Sequence, residues 1–407
     1  MTDTALEQLL RILPGDSDLD HDAVFARLRR EDPVARCEAI DGWVVTRWTD
    51  VTRVFEDAEH FIPMAAGSGS SGIYGRTILH MTGVEHRRKA AILGRRMRNT
   101  RRLGGDIRSL VSELVQEFGA ALPAAPTVAD VKGDFTALVP LAVIGELMTM
   151  REATAFPDWY HRIVAASVSN VTGDPEVHAR GVAARDDLFE WLTPEIVAKR
   201  DDPGDDLLSD LCTIEFEGEA LTDDEIRSFC AFLLSAGIET TDRALVNLCC
   251  ELIAHPEQWR RLQADRSLVP SAVAEILRHR PPVQASIRQA AVDVELAGVT
   301  IPAGEKVMVL LSAANHDEDV FTDPDRFDVG RFADDAGAQF TPAGANRGFG
   351  GGAHTCTGSL LAKLEMECAL TYLLDHCTHM THAADPPPME GFVLRSPSRL
   401  ELHLHRT

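Results

Sequence analysis

The chain has 407 residues, of which 45% are hydrophobic and 25% charged, and its formal net charge is −23. A chain of this length buries a large core, and its excess of acids argues against a nucleic-acid-binding protein, whose phosphate contacts depend on Lys and Arg. The N-terminus lacks a basic start and an apolar segment, and no stretch reaches the roughly 18 apolar residues of a membrane helix. We therefore expect a cytoplasmic protein whose eight cysteines are mostly reduced thiols.

The predicted elements change in kind along the chain. Early segments mix helix and strand, with a strand predicted over 42–46. Helical periodicity then dominates as far as residue 280, and its longest segment, 222–253, begins with a Thr-x-x-Glu capping box. Strand and turn patterns follow, including a β-branched strand over 307–311, and the last predicted helix spans 357–376.

Strand patterns occur towards both ends of the chain, which favours small sheets to which both ends contribute. The sequence therefore predicts a mainly α protein with small β-sheets, in the α+β class. Because ends that share sheets do not separate readily, we expect a single domain over residues 1–407, in which residues 1–20 are an irregular N-terminal segment.

The most informative segment is a glycine-rich loop at 347–358, just before the last predicted helix. Cys356 lies at the start of that helix, where backbone N–H groups and the helix dipole favour a thiolate. Glycines let the main chain point N–H groups at the sulfur, which suits a thiolate ligand of heme iron. Two alternatives remain open. One is a dinucleotide-binding fingerprint at Gly348-x-Gly350-x-x-Ala353, which needs a preceding buried strand, and the other is a loop with a structural cysteine.

The pattern Phe349-x-x-Gly352-x-His354-x-Cys356-x-Gly358 resembles the heme-binding signature of the cytochrome P450 family at every fixed position. The resemblance implies the cytochrome P450 fold and heme b as the cofactor. Cys356 would be the axial ligand of the iron, Phe349 would pack beside it, and His354 would meet a heme propionate. The cofactor-binding residues implied within this loop are Phe349, Gly350, His354 and Cys356.

A second motif lies at 236–241, inside the longest predicted helix. Glu239 and Thr240 place an acid and a hydroxyl in a buried helix, where each needs a partner. The Thr240 hydroxyl is predicted to bond the Ala236 carbonyl and, with Gly237, to open the helix. A kinked helix with a buried polar pair is the plainer alternative. The segment resembles the family's oxygen-activation motif, which implies that Ala236 and Gly237 border the heme while the acid and the hydroxyl deliver protons.

Two further elements occur in the family's order. Glu275 and Arg278 are three residues apart on one helix face, where such pairs are usually exposed and weak. They resemble the family's Glu-x-x-Arg element, whose implied third partner is Arg331 and whose role is structural. Arg288 is the implied partner of one heme propionate, because guanidinium and carboxylate geometries match.

His86 resembles the histidine of the family's His-x-x-x-Arg element, which serves the other propionate. This sequence departs from the element, because Ala90 stands where the arginine is expected. Lys89 or Arg87 is predicted to compensate. The departure concerns how that propionate is neutralised and not whether heme binds.

Eight basic residues and no acid lie between residues 87 and 102, in a chain that is strongly acidic as a whole. A solvated helix face is the plain explanation. The resemblance places this segment on the cysteine side of the heme. It thereby predicts that the surface from Arg87 to Arg102 docks an acidic ferredoxin, which a ferredoxin reductase supplies with electrons.

The resemblance extends over residues 20–400 and implies a heme-thiolate monooxygenase that inserts one atom of O2 into its substrate. The implied substrate is a small, largely apolar organic molecule of secondary metabolism, and the electrons come from separate redox proteins. A peroxide-dependent heme enzyme, a heme sensor and an NAD-binding dehydrogenase are the alternatives. The residues assigned to the substrate pocket are Ile238, Val283, Ala285, Ile287 and Phe392.

Overall fold

Helices form most of the computed structural model, which describes residues 4–13, 19–64, 71–150, 153–169 and 174–407. The α-helices are α1 (Ala5–Ile12), α2 (His21–Glu31), α3 (Trp48–Glu56), α4 (Ser71–Tyr74), α5 (Gly83–Met97), α6 (Thr100–Gly104), α7 (Asp106–Ala121), α8 (Leu138–Leu147), α9 (Phe156–Val164), α10 (Pro175–Asp201), α11 (Leu207–Thr213), α12 (Asp223–Leu234), α13 (Thr240–Ala254), α14 (Pro256–Ala264), α15 (Val269–His279), α16 (Leu311–Asn315) and α17 (Ser359–His376). Across the described ranges, no helix is both long and apolar enough to cross a membrane.

Shorter helical turns join these elements. The π-helices are Lys132–Thr136, Ala165–Ser169 and Ser235–Glu239. The 3-10 helices are Glu38–Ile40, Ile78–His80, Arg266–Leu268, Ala338–Phe340 and Gly352–His354.

The strands form three small sheets. In chain order they are β1 (Val34–Cys37), β2 (Gly42–Val45), β3 (Phe61–Pro63), β4 (Ala129–Asp130), β5 (Ala285–Ala290), β6 (Val294–Leu296), β7 (Val299–Ile301), β8 (Lys306–Leu310), β9 (Cys377–His382) and β10 (Glu401–Arg406). The largest sheet has the order β1-β2-β8-β5-β3, and the others are β4-β10-β9 and β6-β7. Strand β2 runs parallel to β8, and the remaining pairs are antiparallel. The predicted mainly α architecture with small sheets is confirmed.

The first helix corrects the predicted irregular segment at 1–20. Helix α1 begins with a capping box, in which the side chains of Thr4 and Glu7 accept from each other's backbone N–H groups. Its buried side chains recur at helical spacing and pack in one core cluster with α2. The prediction is wrong for Ala5–Ile12, because a cap and a short apolar stripe suffice for a helix that packs on a neighbour.

The longest predicted helical segment is continuous but has a wider turn inside it. The predicted capping box at Thr222 and Glu225 begins α12, and the π-helix at Ser235–Glu239 joins α12 to α13. Because this central helix packs against α8, α10, α15 and α17, it runs through the largest hydrophobic core. Such π-helical turns occur frequently at functional sites.

Candidate functional site

Cys356 lies on a tight loop that leads into α17. The loop is closed by the Cys356 N–H, which donates to the Phe349 carbonyl at 3.1 Å. Gly350 and Gly352 have φ angles of 74° and 61°, and a Cβ at Gly352 would lie 2.1 Å from the Phe55 carbonyl oxygen. Only glycine adopts these angles without strain and leaves room for α3, so the loop packs directly on that helix.

The chain before the loop excludes the dinucleotide-binding alternative. That motif requires a buried strand immediately before its first glycine. Instead, the 3-10 helix Ala338–Phe340 and a stretch without regular structure precede Gly348. A Cβ at Gly348 would lie 2.6 Å from the Leu277 carbonyl oxygen, so this glycine allows the loop to pack against α15.

Groups that stabilise negative charge surround the Cys356 sulfur. The backbone N–H groups of Gly358 and Ser359, at the start of α17, hydrogen-bond to it. The Cys356 side chain is exposed at its surface, but many protein atoms lie close around it. The resulting loss of solvation raises the pKa of the Cys356 thiol. The two N–H groups and the charge of Arg98 oppose that increase in pKa. The sulfur is therefore poised to become a thiolate when a metal shares its charge.

Two asparagines and an arginine support the loop from behind. The Arg347 N–H donates to the Asn315 side chain at 2.7 Å, and Asn315 in turn donates to the side chain of Asn346 at 3.1 Å. The same Asn346 oxygen accepts the Gly348 N–H at 2.8 Å. The Arg347 guanidinium lies 4.3 Å from the Trp48 ring centroid. No local sequence pattern distinguishes these residues, so their supporting role could not be predicted from the sequence.

Glu275, Arg278 and Arg331 meet in a buried ion cluster next to this support. Arg278 donates to both Glu275 oxygens, at 2.8 and 2.9 Å, and Arg331 Nε lies 3.0 Å from the same carboxylate. The side chains of Glu275 and Arg278 are 0% exposed, so the alternative of an exposed, weak pair is excluded. Arg278 also donates to the Asn315 carbonyl at 2.9 Å, which links the cluster to the cysteine loop.

Four basic side chains, His86, Arg98, Arg288 and His354, gather beside the cysteine loop. The His86 and His354 ring centroids are 3.9 Å apart, and the Arg288 guanidinium lies 5.1 Å from the Phe55 ring centroid. Burial lowers the pKa of Arg288 to about 10, and burial with the nearby charges of His86 and Arg288 lowers the pKa of His354 to about 3. Within the described ranges none of the four forms an ion pair with a carboxylate, so the cluster favours an anionic ligand.

The π-helix leaves one face of the central helix accessible. Ala236, Gly237 and Thr240 are partly accessible, whereas the intervening residues are buried. Thr240 Oγ1 donates to the Ala236 carbonyl at 2.9 Å, which confirms the predicted bond. A Cβ at Gly237 would lie 3.0 Å from Ile144 Cδ1, so glycine lets this turn of the helix pack closely against Ile144.

Glu239 is buried and has two partners, one of them a helical turn away and the other distant along the chain. Arg243 Nε donates to one carboxylate oxygen at 2.7 Å, and the Tyr160 hydroxyl donates to the other at 2.9 Å. Burial and the charge of Glu239 raise the pKa of Tyr160, so its hydroxyl remains a donor at neutral pH. In the described part of the chain no hydrogen bond joins Glu239 to Thr240. The acid and the hydroxyl therefore have separate partners.

Comparison with known proteins identifies the family. A family profile described as Cytochrome P450 matches residues 168–404, more than half of the chain. The chain is 33% identical over 362 residues to the pulcherriminic acid synthase of Bacillus subtilis (strain 168), covering 87% of each chain. It is 33% identical over 399 residues to the nocardicin C N-oxygenase of Nocardia uniformis subsp. tsuyamanensis, covering 94% of this chain and 95% of that protein. The chain belongs to the cytochrome P450 family.

A solved cytochrome P450 has the same fold. The structure of CYP109Q5 from Chondromyces apiculatus aligns with a TM-score of 0.80 at 30% identity, covering 100% of this chain and 98% of that one. As a cytochrome P450, the chain is a heme-thiolate monooxygenase with heme b as its cofactor. Cytochromes P450 of bacteria generally use redox partners and bind small-molecule substrates.

The residues present fit heme b in three respects. The Cys356 sulfur is accessible and receives backbone N–H groups, as a thiolate ligand of iron requires. The four basic side chains beside the loop have no carboxylate partners within the described ranges and suit two propionates. The accessible face at Ala236 and Gly237 presents little side-chain bulk, which suits close approach of a flat ring.

Two cations predicted to serve a propionate in this cytochrome P450 have other partners. Lys89 is buried and bonded to Glu225 at the start of α12. Arg87 donates twice to Glu217, at 2.6 and 2.7 Å. The prediction that either compensates for Ala90 is wrong, because the fold brings carboxylates from distant segments against this face of α5.

The predicted substrate residues divide into two groups. Ile238 is fully buried in the largest core, and Ala285 and Phe392 pack with the core cluster around α1 and α2. For Ile238 and Ala285 the prediction is corrected, because burial in a core leaves them no open surface towards a ligand, whereas Phe392 is only partly buried and stays a predicted pocket residue. Ile287 is 40% exposed and Val283 is half-buried, so both still qualify as pocket residues.

The basic segment from Arg87 to Arg102 is largely neutralised. The residues in ion pairs with carboxylates are Arg87, Arg88, Lys89, Arg96 and Arg102. Their main partners lie between residues 205 and 225, more than 100 positions away along the chain. Arg95, Arg98 and Arg101 are exposed and have no carboxylate partner in the described part of the protein. The free positive surface is therefore smaller than the sequence indicates.

Proposed function

We propose that residues 1–407 form one heme domain in which Cys356 ligates the iron, and that this domain oxidises a small, largely apolar organic molecule. The observation that carries this assignment is the accessible Cys356 sulfur with its two backbone N–H donors. Bound heme supplies a redox-active iron at which O2 is cleaved, and thiolate ligation favours that cleavage. The protein itself supplies the thiolate, the partners of the propionates and a path for protons.

Thr240 and Glu239 are the proposed proton-handling residues. The Thr240 hydroxyl lies on the accessible face of the central helix, where its bond to the Ala236 carbonyl restricts its orientation. Arg243 and Tyr160 hold the Glu239 carboxylate through two hydrogen bonds. Glu239 must therefore exchange one of these partners before it passes on a proton, so Arg243 and Tyr160 are its positioning residues.

The proposed substrate class follows from the accessible apolar side chains and from the relatives. Leu79, Ile287 and Val393 are large apolar side chains that are 45%, 40% and 52% exposed, and Ile287 is one of the predicted pocket residues. Relatives are named for pulcherriminic acid, vitamin D(3) and nocardicin C, and one solved neighbour contains testosterone. A library of secondary metabolites, screened for the shift in heme spin state that ligand binding causes, would identify the substrate.

With a substrate from that screen, Thr240→Ala should lower the yield of product per NADPH consumed by on the order of tenfold or more. Electron uptake should continue, because Thr240 bonds only to the Ala236 carbonyl and supports no other part of the site. Thr240→Ser keeps the hydroxyl and should retain most of the yield. Equal yields from the alanine variant and the wild type would contradict a role in proton delivery.

We also propose that an acidic ferredoxin, reduced by a ferredoxin reductase, docks near Arg95 and Arg101. Both side chains are exposed, and neighbouring Arg98 reaches the Thr355 carbonyl of the cysteine loop, so this end of α5 lies close to Cys356. Docking near the ligand cysteine would shorten the path of electrons to the iron. The cytoplasmic location expected from the sequence remains a prediction.

Replacing both Arg95 and Arg101 with Gln should raise the apparent KM for ferredoxin severalfold at low salt, and less at high salt, because salt screens the attraction. Arg87→Gln is the matched control, since Glu217 already pairs with that guanidinium. An unchanged KM in the double variant, measured by ferredoxin-dependent heme reduction, would show that these side chains are only solvated.

A further inference from the structure

His86, Ala90 and Gly94 lie four residues apart on one face of α5, and Arg98 follows at the same spacing as the residue that caps the helix. Ala90 and Gly94 are buried and place almost no side chain between the two basic residues. A Cβ at Gly94 would lie 3.3 Å from Arg98 Cδ and 3.4 Å from its Nε. The Arg98 side chain therefore folds back over Gly94, in the direction of the small residue Ala90.

The Arg98 guanidinium reaches the cysteine loop. One of its nitrogen atoms donates to the Thr355 carbonyl at 3.3 Å, and its charge acts on both His86 and Cys356. Its neighbours Arg96 and Arg102 are paired with Asp205, but in the described ranges Arg98 pairs with no carboxylate. A guanidinium that contacts only a carbonyl retains most of its capacity to bind an anion.

Heme b carries two propionates, and the four basic side chains are distributed unequally between them. The charge of Arg288 acts on both His354 and His86, whereas the charge of Arg98 acts on His86 alone of the two, and Lys89 and Arg87 near His86 are already paired. We propose that Arg98 binds the propionate beside His86. It thereby takes the role of the arginine that the family's His-x-x-x-Arg element has at the position of Ala90. This inference rests on the proposed heme site and assigns a cofactor-binding residue that the local motif does not contain.

The test uses the heme-loaded protein with Arg98→Gln. The loss of a charge-assisted contact should speed heme transfer to excess apomyoglobin by about tenfold. The loss of a positive charge near the sulfur should also move the heme reduction potential to more negative values, as measured by spectroelectrochemistry. Arg260→Gln is the matched control, because Arg260 is exposed on α14, donates to the Pro256 carbonyl of its own helix and has no carboxylate partner in the described part of the protein. It should change neither quantity.

Arg98→Lys keeps the charge but loses the planar guanidinium, so its reduction potential should stay near that of the wild type while heme transfer becomes faster. Rates and potentials for Arg98→Gln equal to those of the wild type and of Arg260→Gln would overturn the proposal. The red-shifted Soret band of the reduced, CO-bound protein reports separately on the sulfur ligand. If the wild type lacked this band, the heme-thiolate assignment itself would fail, independently of Arg98.

Discussion

Cys356→Ser should eliminate the strongly red-shifted Soret band of the reduced, CO-bound protein, and with it monooxygenase activity. A serine hydroxyl does not ionise near neutral pH, so the N–H groups of Gly358 and Ser359 would have no anionic sulfur to stabilise. Without thiolate ligation the iron loses the electron density that favours O–O cleavage. The difference spectrum of the reduced protein with and without CO measures the change directly.

Cys368→Ser is the matched control for this substitution. Cys368 lies on α17, the helix that begins next to Cys356, and its sulfur is 3.7 Å from the Ser112 hydroxyl. The variant should keep the band at its wild-type position and intensity. Persistence of the band in Cys356→Ser would mean that another side chain ligates the iron.

Glu275→Gln should destabilise the protein more than any surface substitution. It leaves the guanidinium groups of Arg278 and Arg331 facing a neutral amide in the interior, and breaking a buried ion pair in this way typically costs about 3–5 kcal/mol. Because Arg278 also holds Asn315, which supports the cysteine loop, the variant should retain heme less well. Urea unfolding followed by circular dichroism measures the stability, and the ratio of Soret to protein absorbance measures heme content.

Glu217→Gln removes an exposed carboxylate that pairs with Arg87 and serves as the control for charge loss alone. Its unfolding midpoint should hardly change, because solvent and salt screen exposed ion pairs. Similar midpoints for Glu275→Gln and Glu217→Gln would show that the buried cluster contributes little to stability and that the loop is held by other contacts.

The features that could be predicted from the sequence depend on residues close together along the chain. The loop around Cys356 combines glycines, a helix start and backbone donors within a dozen positions, so its chemistry is visible in the printed sequence. The bond from Thr240 to the Ala236 carbonyl and the capping box of Thr222 and Glu225 likewise span a single helical turn. In each case helix geometry alone brings the partners together.

Most of the incorrect predictions depend on how segments pack together, unlike the missed helix α1, whose cap and apolar stripe are local. The pocket assignment of Ile238 depended on which face of the central helix meets the core, and a π-helical turn shifts that face. Lys89 was assigned to a propionate because Glu225, 136 positions away, was not expected beside it. Tyr160 as a partner of Glu239 was missed for the same reason, since 79 positions separate them.

The sequence by itself determined the cytochrome P450 family and the mainly α architecture, and it predicts Cys356 as the sulfur ligand, because each rests on local spacing or on periodicity. Only the tertiary structure decided which of the many arginines remain free to bind an anion. Whether an arginine remains free depends on which acidic residues pack against it, as Glu217 packs against Arg87. Within the described residues Arg98 pairs with no carboxylate, because its side chain folds over Gly94 and ends at the cysteine loop.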